Sequence, residues 1–221
     1  VAFGIGSNSS SYGASGANSV ALGNLAKASA SKSLALGYKT IASGNGAKAF
    51  GGFGLGVGTT ASAEGSTAIG DGASSTVSYK TAITTRPFAA LGDAQAGIFV
   101  MKAATTDATA TALTSDSNNA GSGNQIVAAS DTCIMFSGTV VAMQNGAQDQ
   151  GGWEIKGLLK NDGGTTTLVN SEVKTFADGN GWSIVLSADN TNNALKVQCT
   201  GEASHNIRWV ANIQTSEVTY A

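Results

Sequence analysis

The acidic side chains are concentrated between Asp93 and Glu217, which hold twelve of the fourteen Asp and Glu residues. Cleaving a glycosidic bond would need two of them facing each other across a sugar. No spacing marks such a pair, and most fall in turn-forming stretches, where Asp accepts backbone hydrogen bonds. His205 is the only histidine, with no Ser or Cys partner in a recognisable nucleophile setting, so a catalytic triad is not expected. Asp189-Asn190-Thr191-Asn192-Asn193 places oxygens at alternate positions as a calcium loop would. It lacks the glycine at the sixth position and the closing acidic ligand, so a β-turn is expected instead. Gly51-Gly52-Phe53-Gly54 has no following Lys-plus-hydroxyl and no helix, so it cannot cradle a phosphate. Neither an enzyme, a cofactor nor a metal is expected.

Binding is a different matter. Polar, Gly-rich loops on a rigid scaffold can present amides and hydroxyls to a ligand. Two stretches qualify, Gln144 through Gly152 and Asp116 through Asn124. The candidate ligand-binding residues are Gln144, Asn145, Gln148, Asp149 and Gln150 in the first, with Asp116, Asn118 and Asn119 in the second. Such side chains suit sugar hydroxyls. Trp153, Trp182 and Trp209 fall on alternating strand positions with apolar neighbours and are expected in a core rather than on a sugar-stacking platform.

The elements that must position these loops follow from composition and period. Only 12% of residues are charged, Gly reaches 30 and Pro only 1. Gly, Ser, Thr and Asn favour turns and extended chain over helix, so the chain is expected to be all-β. The pattern x-Ala-apolar-Gly recurs as Val20–Gly23, Leu34–Gly37 and Lys48–Gly51, at steps of 14 residues. A second phase, offset by 5, runs through Phe53–Gly56, Thr67–Gly70 and a decayed Thr81–Thr84, and Val1–Gly4 shares the offset. Each unit offers a short strand, a turn glycine and a second small-residue strand, which stack as a solenoid. One or two of Val, Leu, Ile or Phe per coil, plus Ala, are expected to point inward. So thin a coil cannot offset its ordering entropy alone, and a core shared by three chains would supply what is missing.

From Pro87 the pattern changes. Residues 1–87 carry a net charge of +4 and residues 88–221 a net −6. Period-2 alternation marks Trp153–Lys160, Trp182–Ser187 and Ile207–Gln214, and further strands are expected at Gly97–Ala103, Cys133–Met143, Thr165–Thr175 and Ala194–Thr200. Turns are expected at Asn161–Gly164, Asp178–Gly181 and Asp189–Asn193. Eight or nine strands in this span read as an antiparallel sandwich or jelly roll. Cys133 and Cys199 are expected as buried free thiols, although a disulfide depends on whether their strands are neighbours. The basic residues are dispersed, which argues against nucleic acid. No apolar run approaches the ~20 residues of a membrane-spanning helix. With no initiating Met and no signal segment, Val1 is expected to begin a processed or trimmed chain.

Two resemblances refine this reading. Asn18-Ser19-Val20-Ala21-Leu22-Gly23, and less fully Lys32–Gly37, resemble the head repeats of trimeric autotransporter adhesins. That resemblance implies a left-handed parallel β-roll, three chains wide, over residues 1–84. The second half resembles a C-terminal domain attached to bacteriophage tail-fibre and appendage proteins, through Gly92–Gln95, Val140–Ala142, Ser187–Lys196, Thr200–Glu202 and Ile207–Ala211. The expectation is a β-roll shaft (1–84) and a β-sandwich knob (85–221) in a homotrimeric fibre tip on a virion tail. It would be extracellular, associated with other tail proteins, without membrane insertion, and would bind a host-cell glycan or protein. The alternatives are an autotransporter adhesin head, a tailspike depolymerase, and a knob that only registers the trimer.

Overall fold

A computed structural model describes residues 11–51, 57–146, 149–179 and 181–220. The units Val1–Gly4 and Phe53–Gly56, and Asn180 of the expected turn, lie outside these residues. The described residues contain strands and no helix. They form two compact units, one built on the chain up to Gly97 with the segment from Glu217, the other on Ile98–Ser216.

The first unit contains ten short strands: β1 Gly13–Ala14, β2 Val20–Leu22, β3 Lys27–Ala28, β4 Leu34–Leu36, β5 Thr40–Ala42, β6 Lys48–Phe50, β7 Thr59–Ala61, β8 Thr67–Ile69, β9 Ser74–Ser75 and β10 Thr81–Ile83. Odd and even strands form separate ladders, β1-β3-β5-β7-β9 and β2-β4-β6-β8-β10. Every described pairing within them is parallel, as in Val20↔Leu34, Leu34↔Lys48 and Thr67↔Thr81, each a step of 14 residues. The exceptions are Lys48↔Thr67 on the even ladder and Thr40↔Thr59 on the odd one, each a step of 19. The five-residue offset between the two phases is therefore one enlarged coil, and the ladder passes directly from β6 to β8. The architecture is a parallel β-roll of about five coils.

Small side chains fill this roll. Ala21, Ala35, Ala49, Ala68 and Ala82 of the even strands and Ala28, Ala42 and Ala61 of the odd strands are buried, with Ser19, Ser33, Ser66, Thr40 and Thr59. Where the repeat has a serine, its hydroxyl closes the turn. Ser19, Ser33 and Ser66 donate to the carbonyls of Gly16, Ala30 and Ala63 at 2.7, 2.7 and 2.8 Å. Contrary to expectation, the larger apolar side chains face outward. Val20 and Leu22 are 43% exposed, Ile69 and Ile83 39%, while Leu34, Leu36 and Phe50 are half-buried. The reason is the pleat: Ser and Ala at alternate positions point in, so the intervening Val, Leu, Ile or Phe must point out. Glycine lets the coils stack closely, as at Gly70, with φ of 99° and the Thr84 carbonyl where a Cβ would stand.

The second unit is built from β11 Ala94–Thr105, β12 Thr111–Ala112, β13 Ile126–Val127, β14 Thr132–Gln144, β15 Gln150–Asp162, β16 Thr165–Asp178, β17 Ser183–Asp189, β18 Ala194–Thr200 and β19 Ile207–Thr219. The large sheet runs β16-β15-β14-β19-β11, and a small sheet groups β12, β18 and β13, with β17 also on β18. The pairings β14/β15, β15/β16, β17/β18, β12/β18 and β13/β18 are antiparallel. Phe99, Ile134, Phe136, Ile155, Leu195, Val197 and Ile213 are buried, as the alternation required. Trp209 stacks on Trp153 at 5.5 Å between ring centres and tilts against Trp182 at 5.6 Å. All three indoles are core, with exposures of 0%, 2% and 2%. Cys199 is buried and Cys133 half-buried, both free. Burial pushes the Cys199 thiol up to about 12.

Candidate ligand-binding clefts

The loop from Ser115 to Asn124 is tied to itself. Asp116 Oδ1 accepts from the Asn118 backbone N–H at 3.0 Å and from Asn124 Nδ2 at 2.8 Å, while Oδ2 accepts from Asn118 Nδ2 at 3.0 Å. Asn124 Nδ2 also donates to the Asn119 carbonyl at 3.0 Å, and Gly121 N–H donates to Asn124 Oδ1 at 2.8 Å. Burial alone would push the Asp116 carboxyl up, but the hydrogen bonds from Asn118, Asn124 and Thr114 outweigh it and hold the group low. Asp116 is thus the loop's internal anchor. Asn118 and Asn119 are left exposed at its surface.

Asn118 and Asn119 line a cleft of about 390 Å³ with Lys102, Lys196 and Gln198. Thr111 and Ala112 of β12 pair with Cys199 and Gln198 of β18 and fix one wall. The backbone exchange of Lys102 with Thr114, at 2.8 and 3.1 Å, fixes the other.

Gln144 and Asn145 line a second cleft of about 550 Å³, with Thr105, Thr106, Asn206 and Arg208. Asn145 N–H donates to the Asn206 carbonyl at 2.8 Å and Gln144 N–H to the Asp149 carbonyl at 3.1 Å, which holds the hairpin end in place. Trp209 Nε1 donates to Thr105 Oγ1 at 3.0 Å and ties the cleft wall to the tryptophan cluster. The two clefts share Ala104 near the end of β11, so both predicted loops contribute to one region of the second unit.

Of the predicted residues, Asn118, Asn119, Gln144 and Asn145 line clefts, and Asp116 acts behind them. Asp149 gives its carbonyl to the hairpin, and Gln150 pairs with Met143 in the sheet. Gln148 lies outside the described residues. Sequence reasoning missed Lys102, Lys196, Gln198, Asn206 and Arg208. Arg208 lies in the alternating stretch Ile207–Gln214, and nothing in its sequence neighbours marks the cleft.

The other chemistry-bearing groups have structural partners. Asp189 Oδ1 accepts from the backbone of Thr191 and Asn192 at 3.1 and 3.2 Å, and Asn190 Oδ1 accepts from Thr166 N–H at 2.7 Å. The oxygens of this stretch serve the turn. His205 Nδ1 lies 3.2 Å from Glu202 Oε2 but makes no hydrogen bond among the described residues.

The model for the YadA head domain repeat matches twice, over residues 14–40 and 52–73. The chain therefore carries adhesin-type head repeats where the roll is observed. No curated protein matches the chain.

Proposed function

We propose that this chain is the receptor-binding tip of a homotrimeric fibre that attaches a bacteriophage tail to a glycan or protein on its host. The observation that carries the reading is the outward row of Val20, Leu22, Leu34, Leu36, Phe50, Ile69 and Ile83 on a roll whose interior holds mainly Ala, Ser and Thr. Fully burying one Val, Leu or Ile side chain is worth about 1.5–3 kcal/mol. A roll that leaves this surface wet forgoes most of its available apolar burial, and copies meeting around an axis recover it. The repeats resemble those of a family three chains wide, which supports three as the number. Tripled, the second unit binds weakly per site and tightly by avidity. In this role no residue makes or breaks a bond.

The phage setting is supported by the resemblance of the second half to tail-fibre domains. The head of a bacterial surface adhesin is the second reading, supported by the matched repeats. Light scattering on the purified chain is expected to give a particle of three chain masses, and labelled chain is expected to adsorb to some members of a panel of bacterial strains. A single-chain mass would overturn the fibre. Adsorption to animal cells and matrix but to no bacterium would replace the phage setting with the adhesin one.

A further inference from the structure

Between Ile98 and Ser216 there are six basic and ten acidic side chains, a net charge of −4. In so acidic a unit the natural state of a cation is to have a carboxylate beside it. Three of the six do. Lys156 Nζ lies 2.8 Å from Glu172, Lys160 3.1 Å from Asp162 and Lys196 3.7 Å from Asp189. Lys174 stands opposite Glu154 in the β15/β16 register without an ion pair among the described residues, its Nζ over the Phe176 ring at 4.8 Å. The other two are Lys102 and Arg208, which have no acidic side chain within ion-pairing distance among the described residues. These two line the clefts that meet at Ala104, and among the described residues no Asp or Glu lines either cleft.

The remaining polar groups suit a saccharide. Asn118, Asn119 and Gln198 supply amides on one side of Ala104, Asn145 and Asn206 on the other. Gln144, whose side-chain oxygen is buried without a hydrogen-bond partner among the described residues, lines the second cleft. The cleft walls are held by the Lys102–Thr114 exchange and the Trp209–Thr105 bond, so little ordering is required when a ligand arrives.

We propose that the paired clefts bind an acidic glycan, one whose carboxylate or phosphate groups are met by Lys102 and Arg208 while its hydroxyls are met by the surrounding amides. This rests on the receptor-binding reading and specifies its ligand. Arginine can take either anion through two parallel hydrogen bonds, and lysine adds a point charge.

The test is binding of the full chain to immobilised oligosaccharides in three arms, neutral, carboxylated and phosphorylated, alongside adsorption to whole cells. Binding to one or both acidic arms is expected, weakening as salt rises. The exposed substitutions Lys102→Gln and Arg208→Gln should each reduce affinity by about tenfold or more. Lys102→Arg should retain it, and Lys156→Gln, at a paired cation, should leave it unchanged. The two acidic arms decide between carboxylate and phosphate. Equal binding to neutral sugars, or full affinity in both Gln variants, would overturn the acidic-glycan site and leave receptor binding standing. So would cell adsorption without glycan binding. Loss of cell adsorption and of every glycan arm would overturn the receptor-binding reading itself.

Discussion

At Gly37 the backbone turns with φ of 120°, and a Cβ added there would collide with the carbonyl oxygen of Gly51 one coil along. Gly37→Ala should therefore lower the thermal midpoint of the roll, with backbone strain alone costing about 1–3 kcal/mol. Gly123→Ala, where an added Cβ meets nothing within 4 Å, should leave melting unchanged. Side chains show how far residue type predicts role. Asp116 and Asn118 belong to one amide-rich loop, yet the carboxylate accepts the loop's own donors and the amide is exposed at a cleft. Composition marked the loop as rich in amides. It could not divide anchor from contact, because that depends on which donors the folded loop aims inward.

Lys80 of the last coil is buried against Glu217, with Nζ to Oε2 at 2.6 Å, and Gln95 Nε2 donates to the same oxygen at 2.8 Å. Gln95 Oε1 in turn accepts from Ser74 N–H at 3.0 Å. The segment that follows Ser216 is thereby fastened to the end of the roll. Removing one member leaves a buried charge without its partner, so Lys80→Met or Glu217→Leu should each destabilise by about 3–5 kcal/mol. The double variant should recover much of that loss, and a double-mutant cycle of denaturant midpoints measures it. At this scale the repeat was legible, since steps of 14 residues became ladder rungs with Ala opposite Ala. The ion pair was not, because its members stand 137 positions apart and nothing local links them.

In the proposed trimer the outward apolar row is the contact between chains. Leu22→Asp combined with Leu36→Asp leaves the Ser and Ala interior intact while placing charge on the row. Light scattering should then report single chains or reversible association in place of trimers. Adsorption to cells should fall about a hundredfold or more, because avidity goes with the second and third sites. Undiminished trimers would place the contact elsewhere on the chain.

Sequence alone determined the all-β class, the roll repeat, the strands of the second half and the core position of the tryptophans. Each is written in a short period or in residue size and turn chemistry, which act over a few neighbours. The inward placement expected of Val, Leu, Ile or Phe failed, because Ala and Leu both count as apolar in a short period and only the folded pleat turns Ser and Ala to the interior. The clefts were not legible for the same kind of reason. Lys102, Arg208 and Asn118 come from a strand, another strand and a loop, and only the register of the sheets brings their chemistry together.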